Sequence, residues 1–370
     1  MRDLLLKFDA WLEDAGPAAL VIREHLVPVE GHDGIFFPAT FAASEDKTFK
    51  GGYNIDEFPD GRNICLIDSV GSQANRIEPL FAKKGYAGLV PQIVVRAGEK
   101  RINLLEAGHR AGDAIVRCSE LQEQLQKAFK AVQRGDAELL AKIAPTSLVF
   151  GAWDSRDTQA KVPRLIASTV RAFDVRKLTR SAQYVPATEY VEHELLDQPT
   201  DEKTKKAYAE RGFVHVPASG SHGGVVATNG IRRDASLHLA ALRLLHAGED
   251  EKKTFVLRRY ILGVALTAFT HPPAGYFRQG CNLVLDPDKK SEFRTVYGDG
   301  KREDATVVHS EALSYAKVAA KAFGIEPDRE IDYKSGPDQE VMFDVDLARR
   351  DVSGDSDAGG KAARKTKKLK

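Results

Sequence analysis

Asn63-Ile64-Cys65-Leu66-Ile67-Asp68-Ser69-Val70-Gly71-Ser72-Gln73-Ala74-Asn75-Arg76 holds the change of pattern on which the fold turns. Its first five residues read as a strand or a buried apolar segment. Ser69 then stands where a hydroxyl can cap a helix over roughly 71–83. Backbone N–H groups at a helix start have no partner within the helix and attract phosphate. Ser72 and Gln73 add side-chain donors there, and Arg76 adds a charge one turn later. The same residues also fit an ordinary capped helix with a surface arginine.

Upstream, residues 3–15 have helical spacing, residues 18–29 read as a strand, and residues 30–61 read as a long loop with extended pieces. Downstream, strands are expected at 89–96 and 101–105, and helices at 119–133 and 136–143. Leu148-Val149-Phe150-Gly151 reads as a strand-like edge before a helix near 158–173. Residues 180–216 suit a projecting β-hairpin with a mobile tip, followed by a Gly/Ser/His-rich loop at 218–230. Leu237 to His246 reads as helical, 254–269 as a strong apolar strand, and 309–323 as a helix. The loop at 271–280 is followed by strands near 281–286 and 293–297. Strands and helices interleave irregularly, which indicates an α+β core rather than a strict βαβ series.

Hydrophobic residues make up 42% of the 370-residue chain and charged residues 29%, the profile of a globular protein with a substantial core. The formal net charge is only +1, so any nucleic-acid affinity has to come from cations gathered on one surface. Cys65, Cys118 and Cys281 are far apart and form no C-x-x-C pair, which argues against a disulfide framework or structural zinc. The apolar run Tyr260 to Thr270 is too short to span a membrane, and the first residues do not read as a secretory leader. A cytoplasmic protein with no membrane partner is expected.

Residues 156–180 carry Arg156, Lys161, Arg164, Arg171, Arg176, Lys177 and Arg180 against Asp157 and Asp174, an excess of five positive charges. On a helix, Lys161, Arg164, Ser168 and Arg171 would share one side, a stripe able to track phosphates or simply a solvated face. The run from His271 to Gly280 offers Tyr276, Phe277, Arg278 and Gln279, the mixture of stacking surface and donors that holds single-stranded RNA, or else a structural turn. His109-Arg110, flanked by Gly108 and Gly112, is a further basic candidate. Ser219-Gly220-Ser221-His222-Gly223-Gly224 lacks Walker spacing and reads as a flexible turn. No H-E-x-x-H, G-x-S-x-G or G-x-G-x-x-G occurs. His32-Asp33, and His109 with Asp113, are weak metal or acid–base candidates, and Asp154, Asp157 and Asp174 read as cap or surface residues. No cofactor, metal or catalytic residue is expected, and the last twenty residues, 351–370, read as a disordered Lys-rich tail.

Gly71-Ser72-Gln73-Ala74-Asn75-Arg76 resembles the Ser-Gln-x-x-Lys/Arg helix start of the backbone subunits of Cascade, members of the CRISPR-associated RAMP superfamily. Leu148-Val149-Phe150-Gly151 resembles their Leu-Phe-Gly segment, residues 180–216 fall where they carry a thumb, and 271–280 resembles their Pro-x-Gly-Lys-Gln loop with Tyr276 in place of the lysine. Tyr53-Asn54-Ile55-Asp56, Asp68 to Arg76 and Trp153-Asp154-Ser155-Arg156-Asp157-Thr158-Gln159 look like the type I-G form, formerly called I-U.

The resemblance covers roughly residues 50–325 and implies an RRM-like, ferredoxin-like palm with a finger insertion and a β-hairpin thumb, within one fold over residues 1–350. It implies a non-catalytic scaffold whose copies stack head to tail along a CRISPR guide RNA. That RNA would pair with target DNA beside a large subunit and a subunit holding the repeat-derived handle, before a helicase-nuclease is recruited. Ser72, Gln73, Asn75 and Arg76 are its RNA-binding candidates, with Asn75 standing where a basic residue is usual. Arg156, Lys161, Arg164 and Arg171 join them on charge, Tyr276, Arg278 and Gln279 on loop position, and His109 with Arg110 on their glycine setting. A metal-dependent ribonuclease of the type III backbone kind and a general single-strand binder are the alternatives.

Overall fold

The structure is a computed structural model that describes residues 2–46, 48–273, 275–334 and 336–353. Its centre is a nine-stranded antiparallel sheet. From one edge the strands run Tyr276–Arg278, Cys281–Leu285, Ala19–Pro28, Ile231–His238, Ile166–Phe173, Asn63–Asp68 and Ile55–Glu57. Glu292–Val296 also pairs with Ala19–Pro28 and carries Arg302–Asp304 on its far side. The expected α+β class is therefore observed.

The period of two along these strands separates two faces. Leu20, Ile22, Ile166, Ala235 and Leu237 point into a large apolar core filled by helices. Arg23, His25, Arg232 and Asp234 alternate with them and remain half-buried on the other face. Two antiparallel helices, Glu251–Phe269 and His309–Phe323, form much of the covering layer, with Tyr260 and Tyr315 fully buried between them. They approach closely at Gly263, where an added Cβ would lie 2.7 Å from Ala316 Cα.

Glu251–Phe269 corrects the expected strand at 254–269. From Tyr260 to Phe269 every residue is apolar or small and buried, and that erases the amphipathic signal of a helix over most of the expected strand. Two signals against a strand were present: sixteen apolar-rich residues are long for one, and Asp250 caps the helix by accepting the N–H of Lys253.

The expected helix at 158–173 is also corrected. Lys161–Val162 and Ile166–Phe173 are strands. Pro163 would break a helix there, and Ile166, Thr169 and Val170 favour the pleated conformation. Conversely, the strand-like edge at 148–151 is the end of a helix, Pro145–Phe150, with proline in its first turn and Gly151 at φ 81° beyond it.

The hairpin is present and longer at its base than expected. Val175–Tyr184 pairs with Val216–Ala227, and the connection between them carries the helix Glu202–Glu210. The supposed loop at 218–230 is thus mostly strand. Gly223 and Gly224 fall where the register shifts between Lys177 and Thr179, so these glycines mark a bulge, not a loop. Helix at 237–246 shrinks to Leu239–Leu242, because the preceding strand runs on to His238.

The sequence expectation of a tail from 351 is corrected at its start: Val345–Ser353 is a helix whose Asp351 grips Arg117. The remainder of that expectation, from 354 onward, lies outside the described residues. Cys65, Cys118 and Cys281 are buried free thiols. No helix among the described residues is long and apolar enough to cross a membrane.

Candidate nucleic-acid interface

Asn63–Asp68 delivers Asp68 to the start of the helix Val70–Ile77, with its side chain buried. Ser69 caps that helix as expected, accepting the N–H of Ser72. Four of the residues expected to bind RNA turn to the Asp68 carboxylate. Ser72 Oγ donates to it at 2.6 Å, Gln73 Nε2 at 2.6 Å, Arg76 Nε at 3.1 Å and Arg278 Nη2 at 3.1 Å. Arg278 Nη1 also donates to the Ile67 carbonyl.

The helix start and the 276–280 turn are therefore brought together around an internal anion. Gln73 is 5% exposed, and its carbonyl end accepts from Ser168 Oγ at 2.9 Å. Both ends of its amide are therefore occupied within the protein. The available signal was Asp68 itself, a carboxylate one residue before the cap. Arg76 keeps a solvent-facing side, with its guanidinium 5.6 Å from the Phe277 ring centroid.

Arg110 likewise turns to partners inside the protein. It is 3% exposed, with Nε 2.6 Å from the buried Glu78 carboxylate and Nη2 donating to Asn75 Oδ1. Asn75 thus serves an internal arginine. Burial pushes the Glu78 carboxyl up to about 7, although Arg110 beside it acts in the opposite direction.

Beyond Arg110 opens a cleft of about 770 Å³. His109, Trp153, Arg156, Lys161 and Arg164 line it, with Arg110 and Arg117 deeper in. No Asp or Glu is among its lining residues. Glu78 lies against Arg110, and Asp351 takes Arg117 through two 2.9 Å contacts. Arg156, Lys161 and Arg164 have no ion-pair partner within 4.0 Å among the described residues. Burial, then the charge of Arg110, pulls the Arg164 guanidinium down from its ordinary value.

Local sequence explains the shape of this wall. Gly151 turns the chain out of its helix, and a Cβ there would lie 2.6 Å from Arg164 Cγ. Ala152–Trp153 then pairs with Lys161–Val162. Asp154 is 3% exposed and holds the intervening loop by accepting from Asp157 N, Thr158 N and Thr158 Oγ1. It is thus a buried turn-closing residue, neither the helix cap nor the surface residue expected. The loop leaves Arg156 exposed, and Trp153 is 55% exposed with Lys161 Nζ 5.0 Å from its ring.

The other candidates lie apart. Arg171 sits on the face of the sheet away from the helices, in a cross-strand row with Arg232 and His25, and donates to Thr169 Oγ1. Tyr276 is 60% exposed and borders a pocket of about 110 Å³ with Arg76, Lys83 and His271, while Gln279 is exposed on the adjoining turn. His109 Nδ1 lies 3.4 Å from Asp113. His32 meets Asp286 and Asp288 rather than Asp33, and these three are the group with potential metal-ligand spacing among the described residues. Sequence reasoning missed Lys83, and it used Trp153 only as part of a family-like phrase.

Residues 20–177 match the model of a family described as CRISPR-associated protein GSU0053. The match indicates a CRISPR-associated protein family. It covers somewhat under half of the chain, and includes Asp68 with Ser72, Gln73 and Arg76 and the whole lining of the cleft. The turn with Tyr276, Arg278 and Gln279 falls outside it. No curated protein matches the chain.

Proposed function

We propose that this chain is a non-catalytic RNA-binding subunit of a CRISPR complex, the repeated backbone of a type I surveillance complex of the I-G form. The observation that carries the reading is the cleft beside Trp153, where three cations without ion-pair partners and no carboxylate face a space of about 770 Å³. Unneutralised cations around a groove attract the phosphates of a nucleic acid. The exposed indole adds a sequence-tolerant stacking surface, which suits unpaired bases. The CRISPR-associated match over the same residues makes a guide RNA the natural ligand.

The topology supports an RRM-like palm. Ala19–Pro28, Ile166–Phe173, Ile231–His238 and Cys281–Leu285 follow one another as in a β-α-β-β-α-β unit, with helices between the first and second and between the third and fourth. The hairpin 175–227 rises between the second and third strands, in the place of a thumb. On this reading copies stack head to tail on the guide, leaving its bases to pair with target DNA. The other complex subunits and the helicase-nuclease are the implied partners, in the cytoplasm.

The test is to co-express the chain with a CRISPR array, purify it, and sequence the RNA that accompanies it. Guide-length CRISPR RNA, intact after incubation with magnesium, is expected. Random cellular RNA, or a purified chain free of RNA, would overturn the assignment.

A further inference from the structure

Trp153 is the feature of the cleft that charge alone does not explain. A large aromatic side chain left 55% exposed in a wall of cations loses the burial that normally stabilises it. It is also held firmly in place. Its strand is paired to Lys161–Val162, the following loop is tied down by Asp154, and the preceding Gly151 permits no other residue without displacing Arg164. The Lys161 ammonium lies 5.0 Å from the ring, and Arg156 and Arg164 border the same space.

We propose that this corner is a subsite for one unpaired nucleotide, with its base stacked on Trp153 and its flanking phosphates held by Lys161 and Arg164. The inference rests on the RNA-binding reading and adds to it the state of the bound strand. A base within a duplex has both faces covered by neighbours and cannot stack on the indole, so the subsite selects a locally unstacked strand. Aromatic stacking and cationic contact then act on the same nucleotide, which fixes the register of the strand without reading its sequence.

The chain has two tryptophans, so a Trp11→Phe background leaves Trp153 as the sole indole reporter. Titration of this protein with a ten-nucleotide single-stranded RNA should quench its fluorescence in step with binding measured by filter retention. The same RNA annealed to its complement should not quench it. Trp153→Ala should weaken single-strand affinity roughly fivefold to a hundredfold, whereas Trp153→Phe should retain most of it. Unchanged thermal midpoints would show that both variants fold. RNA binding without quenching, and with equal affinity for Trp153→Ala, would overturn the subsite while leaving the RNA-binding reading intact. No retention of RNA by any form would overturn both.

Discussion

Arg110 Nη2 donates to Asn75 Oδ1 across 3.1 Å, and this bond joins the Asp68 cluster to the floor of the cleft. Asn75 lies on the helix that presents Ser72 and Arg76 to Asp68, and Arg110 lines the cleft together with Arg156, Lys161 and Arg164. The two basic regions are thus parts of one braced wall. Replacing Asn75 with alanine removes an acceptor from a buried charged donor. The expected cost is about 1.5–3 kcal/mol of stability, measured by chemical denaturation.

Asp68 is a stronger test of the same brace. Asp68→Asn leaves Arg76 and Arg278 facing a neutral amide, and brings an NH₂ group among four donors. Truncating a fully buried pair costs about 3–5 kcal/mol. Arg76 keeps a solvent-facing side, so a loss of about 2 kcal/mol or more is expected here. An unchanged denaturation midpoint would show that the arginines do not depend on this carboxylate.

Glu78 gives a pH signature. Its folded-state carboxyl is raised to about 7 from the ordinary 4.5, so the native chain holds this proton more tightly than the unfolded one. The stability this contributes is full below about pH 4.5 and is lost as pH rises through about 7. His271 and His309, pulled down by burial, act with the opposite sign below their ordinary value of 6.5. Glu78→Gln isolates the carboxyl: the midpoint difference, wild type minus variant, should fall between pH 5 and pH 7.5. A flat difference would remove Glu78 as the titrating group.

The unpartnered cations should govern salt dependence. Each phosphate contact on a single strand adds about 0.7 to the slope of log affinity against log salt. Combining Lys161→Ala with Arg164→Ala should therefore flatten the slope by about 1.4. Arg232→Ala, on the other face of the sheet, should leave it unchanged.

The sequence made the strand-to-helix step at 63–77 legible because Ser69 is a local signal, and a cap acts within one turn. The helix at 251–269 was not, because burial of every residue from Tyr260 to Phe269 removed its periodicity there, and the strand at 166–173 was mistaken because its two partner strands are remote in sequence. The site divides in the same way. Charge counting found Arg156, Lys161 and Arg164, which border the cleft. It could not reveal that Arg110 answers Glu78, or that Arg76 and Arg278 share Asp68, because such pairings exist only after folding. Arg171 was grouped with the cleft residues by helical spacing, and the period of a strand sends it to the other face.

Whether RNA lies in the cleft beside Trp153 is read out by photocrosslinking of the RNA-loaded protein followed by peptide mapping. Crosslinks are expected on the peptides that carry Trp153 and Lys161. Crosslinks confined to the opposite sheet face around Arg171 and Arg232, with none in the cleft, would contradict it.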